Sequence, residues 1–85
     1  MEISVLGRRL AEARKARNIS QIRLAMAADV APNTIARLEQ GYAQSIRSDS
    51  LLKLADTLGV STDYLLGRTD RMELEENEIE PALAS

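Results

Sequence analysis

Asn33 and Arg37 stand four residues apart, a spacing that puts them side by side on any helix containing both. An amide can grip the N6 and N7 edge of adenine, and a guanidinium the O6 and N7 edge of guanine. Each such grip is worth ~1–3 kcal/mol of discrimination against the wrong base. Standing alone, a pair of this kind is more often two solvated residues on a surface helix, so its meaning depends on the elements around it. Other chemistries have little to work with. The chain has no His and no Cys, which removes the commonest general base, the commonest metal ligand, disulfides and thiolate–zinc sites. Carboxylates such as Glu39, Asp56 and Asp63 are present, but no Gly-rich phosphate loop accompanies them. Neither catalysis, a metal nor any other cofactor is expected.

Eighty-five residues with 45% apolar content make one small domain with a modest core, too rich in apolar side chains to be wholly disordered. No apolar run approaches the roughly 18 residues needed to span a bilayer. The opening Met1-Glu2-Ile3-Ser4 lacks the basic-then-apolar order of a signal peptide. A soluble cytoplasmic binding protein without membrane contact is therefore expected. The net charge of −2 argues at first against a nucleic-acid partner, but it is unevenly spread. Residues 1–69 hold ten Lys/Arg against seven Asp/Glu, whereas residues 70–85 hold one Arg against six acids. A field acts over a Debye length of about 8 Å, not over the chain average. The body is mildly basic and the tail acidic.

Helical spacing runs through the whole body, and no window alternates in the manner of a strand. Leu6, Leu10 and Ala13 fall at i, i+4, i+7, which predicts a helix from about Ser4 to Arg17, ended near Asn18. Ser20 stands where an N-cap should, opening a segment from Gln21 to Ala27. After a break at Ala28-Asp29-Val30, Pro32 suits the first turn of another helix, with Ile35 and Leu38 inward and Gly41 as its stop. Residues 42–49 read as a polar connection. Leu51, Leu54, Ala55 and Leu58 then mark an amphipathic helix closed by Gly59, and Ser61 can cap a last short one holding Tyr64 and Leu65 and ending at Gly67. The expected fold is all-α: five short helices over residues 1–67, followed by an acidic tail, residues 68–85.

Two short helices joined by about four residues have helix-turn-helix spacing, and the second can enter a DNA major groove about 12 Å wide. The ordered elements Ile19-Ser20-Gln21, Leu24-Ala25, Val30, Thr34-Ile35, Leu38-Glu39-Gln40-Gly41, Leu51-Leu52-Lys53-Leu54-Ala55, Leu58-Gly59-Val60-Ser61 and Tyr64-Leu65-Leu66-Gly67 resemble the phage repressor/Cro type of helix-turn-helix domain. That family, often called xenobiotic-response-element-like, comprises bacterial and phage transcription regulators. The match runs from about Leu6 to Gly67.

The resemblance implies a homodimer on a double-stranded DNA operator with two-fold symmetry. It places base reading at Ala31, Pro32, Asn33, Thr34 and Arg37, a phosphate contact at Gln21, and a structural ion pair between Arg14 and Glu39. Ala31 and Pro32 offer bases no hydrogen bond where many relatives carry polar side chains, which shifts weight to thymine methyl contact and DNA shape. Asp29 stands where Gly is common in the turn, and Asp tolerates the left-handed region better than most residues. Arg23 replaces the usual Glu in the first turn of its helix; it either meets a phosphate or is solvated near Glu39 or Asp29. Tyr42, Gln44, Ser45 and Arg47, in the loop after Gly41, are further phosphate candidates, and Ile46 is read as a core plug ahead of a dimer contact. Relatives often dimerise through the end of the body, which singles out Val60, Tyr64 and Leu66.

In the tail, Met72, Ile79 and Leu83 fall at i, i+7, i+11, and Asp70 with Glu73 could open a helix that Pro81 would end. A solubilising tail, a helix extending the dimer and a partner-binding arm all stay open. The leading expectation is a sequence-specific regulator, most often a repressor in this family: phage repressor, restriction–modification controller or antitoxin-like. The alternative is a protein-interaction module that engages a protein partner through residues 70–85.

Overall fold

The computed structural model describes residues 3–43 and 45–72. Among these the chain forms five helices and no strand: α1 (Ile3–Ala16), α2 (Gln21–Ala27), α3 (Pro32–Gln40), α4 (Ser48–Leu58) and α5 (Thr62–Leu65). Four of the five lie within a residue or two of the positions the spacing predicts. Helix α4 begins earlier, at Ser48, with Asp49 in its first turn, where an acid complements the helix dipole.

All five helices end in the same way. Asn18, Asp29, Gly41, Gly59 and Gly67 each adopt a positive φ, between 56° and 79°. The N–H of the next residue then reaches back to a carbonyl of the last turn: Ile19 to Arg14, Val30 to Ala25, Tyr42 to Arg37, Val60 to Ala55 and Arg68 to Asp63. This closure satisfies carbonyls that a helix end would otherwise orphan. It also throws the residue after the left-handed one back onto the helix. That residue is apolar in three cases, and Ile19, Val30 and Val60 all pack on the core. At the starts, the Ser20 hydroxyl accepts from the Arg23 N–H at 3.1 Å and the Ser61 hydroxyl from the Tyr64 N–H at 3.0 Å, as N-caps do. Pro32 opens α3, where its missing N–H costs nothing.

The core comprises Leu6, Leu10 and Ala13 of α1, Leu24 and Ala25 of α2, Ile35 and Leu38 of α3, Leu54, Ala55 and Leu58 of α4, and Tyr64 and Leu65 of α5, with Ala28 and Val60 from the turns. Ile46 plugs its edge from the loop as expected, whereas Leu51 is only half-buried. Helix α1 packs against both α3 and α5. Its crossing with α3 depends on Gly7, because a Cβ there would run into the Leu38 carbonyl oxygen. Beyond α5 the chain does not leave the body at residue 67. Arg9 donates to the Thr69 carbonyl at 3.1 Å and to the Asp70 carboxylate at 2.9 Å, and Met72 packs against the core.

Candidate nucleic-acid interface

Helix α3 divides cleanly. Ile35 and Leu38 are buried, Thr34 is half-buried, and Pro32, Asn33 and Arg37 are exposed along with Ala31 just ahead of them. The fork-bearing pair singled out by its spacing therefore lies on the outward side of a helix anchored by its inward one. The turn before α3 carries Asp29 at φ 56°, so the carboxylate residue takes the left-handed position without a glycine. Lys53 of α4, not Arg23, approaches its side chain, at 3.8 Å.

The C-terminal turn of α3 is held by a network. Arg14 grips Glu39 with two parallel bonds, Nε to Oε2 at 2.7 Å and Nη2 to Oε1 at 3.1 Å, and its Nη1 donates to the Ile19 carbonyl at 2.9 Å. Gln21 Nε2 donates to Glu39 Oε1 at 2.9 Å. The two charged side chains are only 14% and 8% exposed. The hydrogen bonding to Glu39 outweighs burial and lifts the Arg14 pKa above its ordinary value, so the pair stays charged and fork-to-fork. Four places in the sequence meet at one ion pair: the end of α1 and the start of α2 donate to the Glu39 carboxylate at the end of α3, and the α1–α2 turn accepts from Arg14. Gln21 is thus placed to orient Glu39, whatever else it touches.

Past Gly41, the N–H groups of Tyr42 and Ala43 both donate to the Arg37 carbonyl, folding the loop back beside α3. Thr34, Arg37, Ala43 and Ser45 line a shallow cleft of about 290 Å³. Tyr42 is exposed, and Arg47 pairs with Asp49 at 3.3 Å in the open. Gln44 lies outside the described residues, as does residue 73 onward, which takes in the expected cap at Glu73 and most of the tail readings. Arg23 is exposed and lines a second cleft, of about 540 Å³, with Arg14, Lys15, Asn18, Ile19 and Ser20.

The expected dimer residues need correction. Val60 and Tyr64 are each 2% exposed within the single chain, so neither offers its apolar surface to a second copy. Val60 is consumed by the closure of α4. Tyr64 lies beneath the Arg9 guanidinium, 4.6 Å from the ring centroid, and its hydroxyl donates to Glu12 at 3.0 Å. Burial first, and then the bond to Glu12, push the Tyr64 pKa up. Leu66 alone of the three is half-buried. Helical spacing puts Arg9 and Lys15 on the polar faces of α1 without a partner for either, and gives Gly7 no role. Gly7 had a signal, since glycine inside a helix costs about 1 kcal/mol and implies a packing reason.

Among the described residues no group of three potential ligands could hold a metal ion, and no helix is long and apolar enough to cross a membrane. The helix-turn-helix family profile matches residues 10–65, the span from mid-α1 to the end of α5. The chain belongs to the helix-turn-helix family. This helix-turn-helix chain is 38% identical over 65 residues to the HTH-type transcriptional regulator ImmR of Bacillus subtilis (strain 168), an alignment covering 76% of this chain and 50% of ImmR. It therefore spans about half the length of that relative. Among solved structures, the restriction-modification controller protein C.AhdI from Aeromonas hydrophila matches with a TM-score of 0.69 and 28% identity over 74% of this chain and 94% of that one. The SinR/SinI complex matches with a TM-score of 0.71 over 94% of this chain and 79% of that one; at 23% identity it speaks for the fold alone. ImmR and C.AhdI are named for regulation and control, not for catalysis.

Proposed function

We propose that this chain regulates transcription by binding duplex DNA as a homodimer, acting as a repressor at a two-fold symmetric operator. The observation that carries the reading is the outward face of α3. Asn33 and Arg37 are exposed there together, on a helix whose other face is buried and whose last turn is clamped by Arg14 and Gln21 through Glu39. Base reading needs that rigidity, because a fork that wanders does not discriminate. Asn33 and Arg37 supply the direct readout, ~1–3 kcal/mol each, with Thr34 beside them and Ala31 and Pro32 giving apolar contact only. The Gln21 amide has a second N–H for a backbone phosphate, and Arg23, Tyr42, Gln44, Ser45 and Arg47 are the further phosphate contacts. Phosphate contacts position the protein without reading sequence. Leu66 remains for the dimer contact.

The experiment is selection of randomised duplexes on the purified protein at about physiological salt, followed by sequencing. The expected result is an enriched two-fold symmetric site with half-sites centred about 10 bp apart, or a multiple of that. Enrichment of an asymmetric site overturns the homodimer; no enrichment by folded protein overturns sequence-specific binding. With the site known, Arg37→Ala is expected to relax preference at one base pair per half-site and to weaken binding by ~1–3 kcal/mol. A uniform loss over all sequences instead reassigns Arg37 to a phosphate.

A further inference from the structure

The cleft between α1 and the chain past α5 already holds a carboxylate, and holds it loosely. Arg8, Arg9, Glu12, Tyr64, Asp70 and Met72 line about 380 Å³ there, within the range of small-molecule sites. The Arg9 guanidinium keeps its place without Asp70. The Tyr64 ring lies beneath it, 4.6 Å away, and the Thr69 carbonyl accepts from its Nη1 at 3.1 Å. Its Nη2 donates to Asp70 Oδ1 at 2.9 Å, yet the Asp70 side chain is 99% exposed. An ion pair so open to water favours its closed form by a factor of about five at most. The arginine is preorganised, and the acid on it is replaceable.

The charges around that seat have a pattern. Arg8 lines the same cleft, is exposed, and makes no ion pair with any described acid. Glu12 accepts from the Tyr64 hydroxyl through Oε2 at 3.0 Å, and a carboxylate has a second oxygen with which to accept from a ligand. Once Asp70 swings aside, the cleft presents two guanidinium cations and one carboxylate. A simple anion would suit the arginines but meet repulsion from Glu12; a simple cation would suit Glu12 but meet repulsion from the arginines. The complement is a small molecule with two carboxylates and one ammonium.

We propose that this cleft binds a free acidic amino acid. One carboxylate takes the place of Asp70 on the Arg9 fork, the other meets Arg8, and the ammonium meets Glu12, with the carbon chain against Met72. Asp70 is the internal competitor for the seat, so binding releases its side chain and occupancy is felt in the chain just past α5. The site stands apart from α3 and makes no use of the DNA-binding reading.

The test is titration of the full-length chain with L-glutamate, followed by amide resonances at fixed pH and a constant ionic strength of about 50 mM, where screening is weak. Resonances of Arg8, Arg9, Glu12 and Thr69 to Met72 are expected to shift saturably with a midpoint of about 1–10 mM, as so small a ligand in an open cleft allows. Those of α3 should stay put. Glutarate, which lacks the ammonium, and L-glutamine, which lacks the second carboxylate, should each bind about three- to five-fold more weakly. Two exposed substitutions complete the set: Arg8→Gln is expected to weaken glutamate by a similar factor, and Asp70→Asn to tighten it about two- to five-fold. Shifts that do not saturate overturn the site outright. Equal binding of glutarate or glutamine overturns the acidic amino acid as its ligand. Undiminished affinity in Arg8→Gln overturns the second carboxylate contact. Unchanged or weaker affinity in Asp70→Asn, or stationary resonances from Thr69 to Met72, overturns the displacement of Asp70.

Discussion

Gly7 and Arg14, seven residues and nearly two turns apart on α1, hold α3; Val5, Arg9 and Glu12, at i, i+4, i+7 on another face of the same helix, meet Gly67, Tyr64 and Asp70 at the other end of the fold. Both seams centre on an arginine whose side chain is 14% exposed and which lies within 3 Å of a carboxylate oxygen. The carboxylates differ. Glu39 is 8% exposed and takes three hydrogen bonds, whereas Asp70 is 99% exposed and takes one. The glycines differ too, since the atom in the way of a Cβ at Gly7 is α3 backbone, while at Gly67 it is the Val5 side chain. Equal arginines do not make equal clamps. The α3 seam is closed by groups that cannot step aside, and the seam at the C-terminal end by groups that can. The helix proposed to read base edges is on the rigid side, and the chain just past α5 is on the yielding one.

The largest effect that can break this contrast is at Gly7. Alanine would ordinarily gain about 1 kcal/mol inside a helix. Here its Cβ would drive into the Leu38 carbonyl, which cannot move without α3. Gly7→Ala is expected to destabilise by about 3 kcal/mol or more, at or beyond the upper end of overpacking costs, measured by urea unfolding. A gain in stability would mean that α3 floats on α1 and that the seam is not rigid.

Next comes Glu39. Removing it leaves Arg14 nearly buried without its partner, and Glu39→Ala is expected to cost about 2–4 kcal/mol. Replacing both partners, Arg14→Met with Glu39→Leu, should restore most of that stability, since an apolar pair of similar volume often equals a buried ion pair. Base discrimination should not return with it if the network serves to orient α3. Full recovery of discrimination in the double variant reduces the pair to packing.

How far these seams were visible beforehand follows from what each depends on. The helices, their caps and their left-handed ends are local, and Ser20, Ser61, Asn18, Asp29 and Gly41 could be read in place. The Arg14–Glu39 pair joins distant residues and was reached only through the resemblance. The other seam had no such guide. Nothing local says that Tyr64 turns inward beneath Arg9, so an amphipathic tyrosine at the end of a domain read as a partner surface. Gly7 shows in the sequence only as a glycine inside a helix; the backbone it makes room for lies thirty residues on, which no spacing encodes.

Tyr64 gives a smaller effect with a pH signature. Burial, aided by Glu12, raises its pKa above the ordinary value near 10. The folded chain therefore favours the protonated ring, and its contribution is complete below about pH 10 and is lost as pH rises past the unfolded value. Tyr64→Phe is expected to cost about 0.5–1.5 kcal/mol at neutral pH for the lost bond to Glu12. The gap between parent and variant should narrow above pH 10. A gap that stays constant into alkali would show that the hydroxyl is not sheltered and that this seam is looser still.

The smallest effect is the sharpest discriminator, because it sets Asp70 directly against Glu39. An ion pair whose acid is open to water gains little, and salt screens it. Arg9 also keeps its place without Asp70, through the Tyr64 ring at 4.6 Å and the Thr69 carbonyl at 3.1 Å. Asp70→Asn is therefore expected to leave the thermal midpoint unchanged within experimental scatter at physiological salt. Its one visible consequence should be in the segment that follows, whose amide resonances shift once the carboxylate no longer steers Met72 toward Arg17. A midpoint drop approaching that of Glu39→Ala would mean that Asp70 is as firmly held as Glu39, and that the chain beyond α5 is a fixed part of the body.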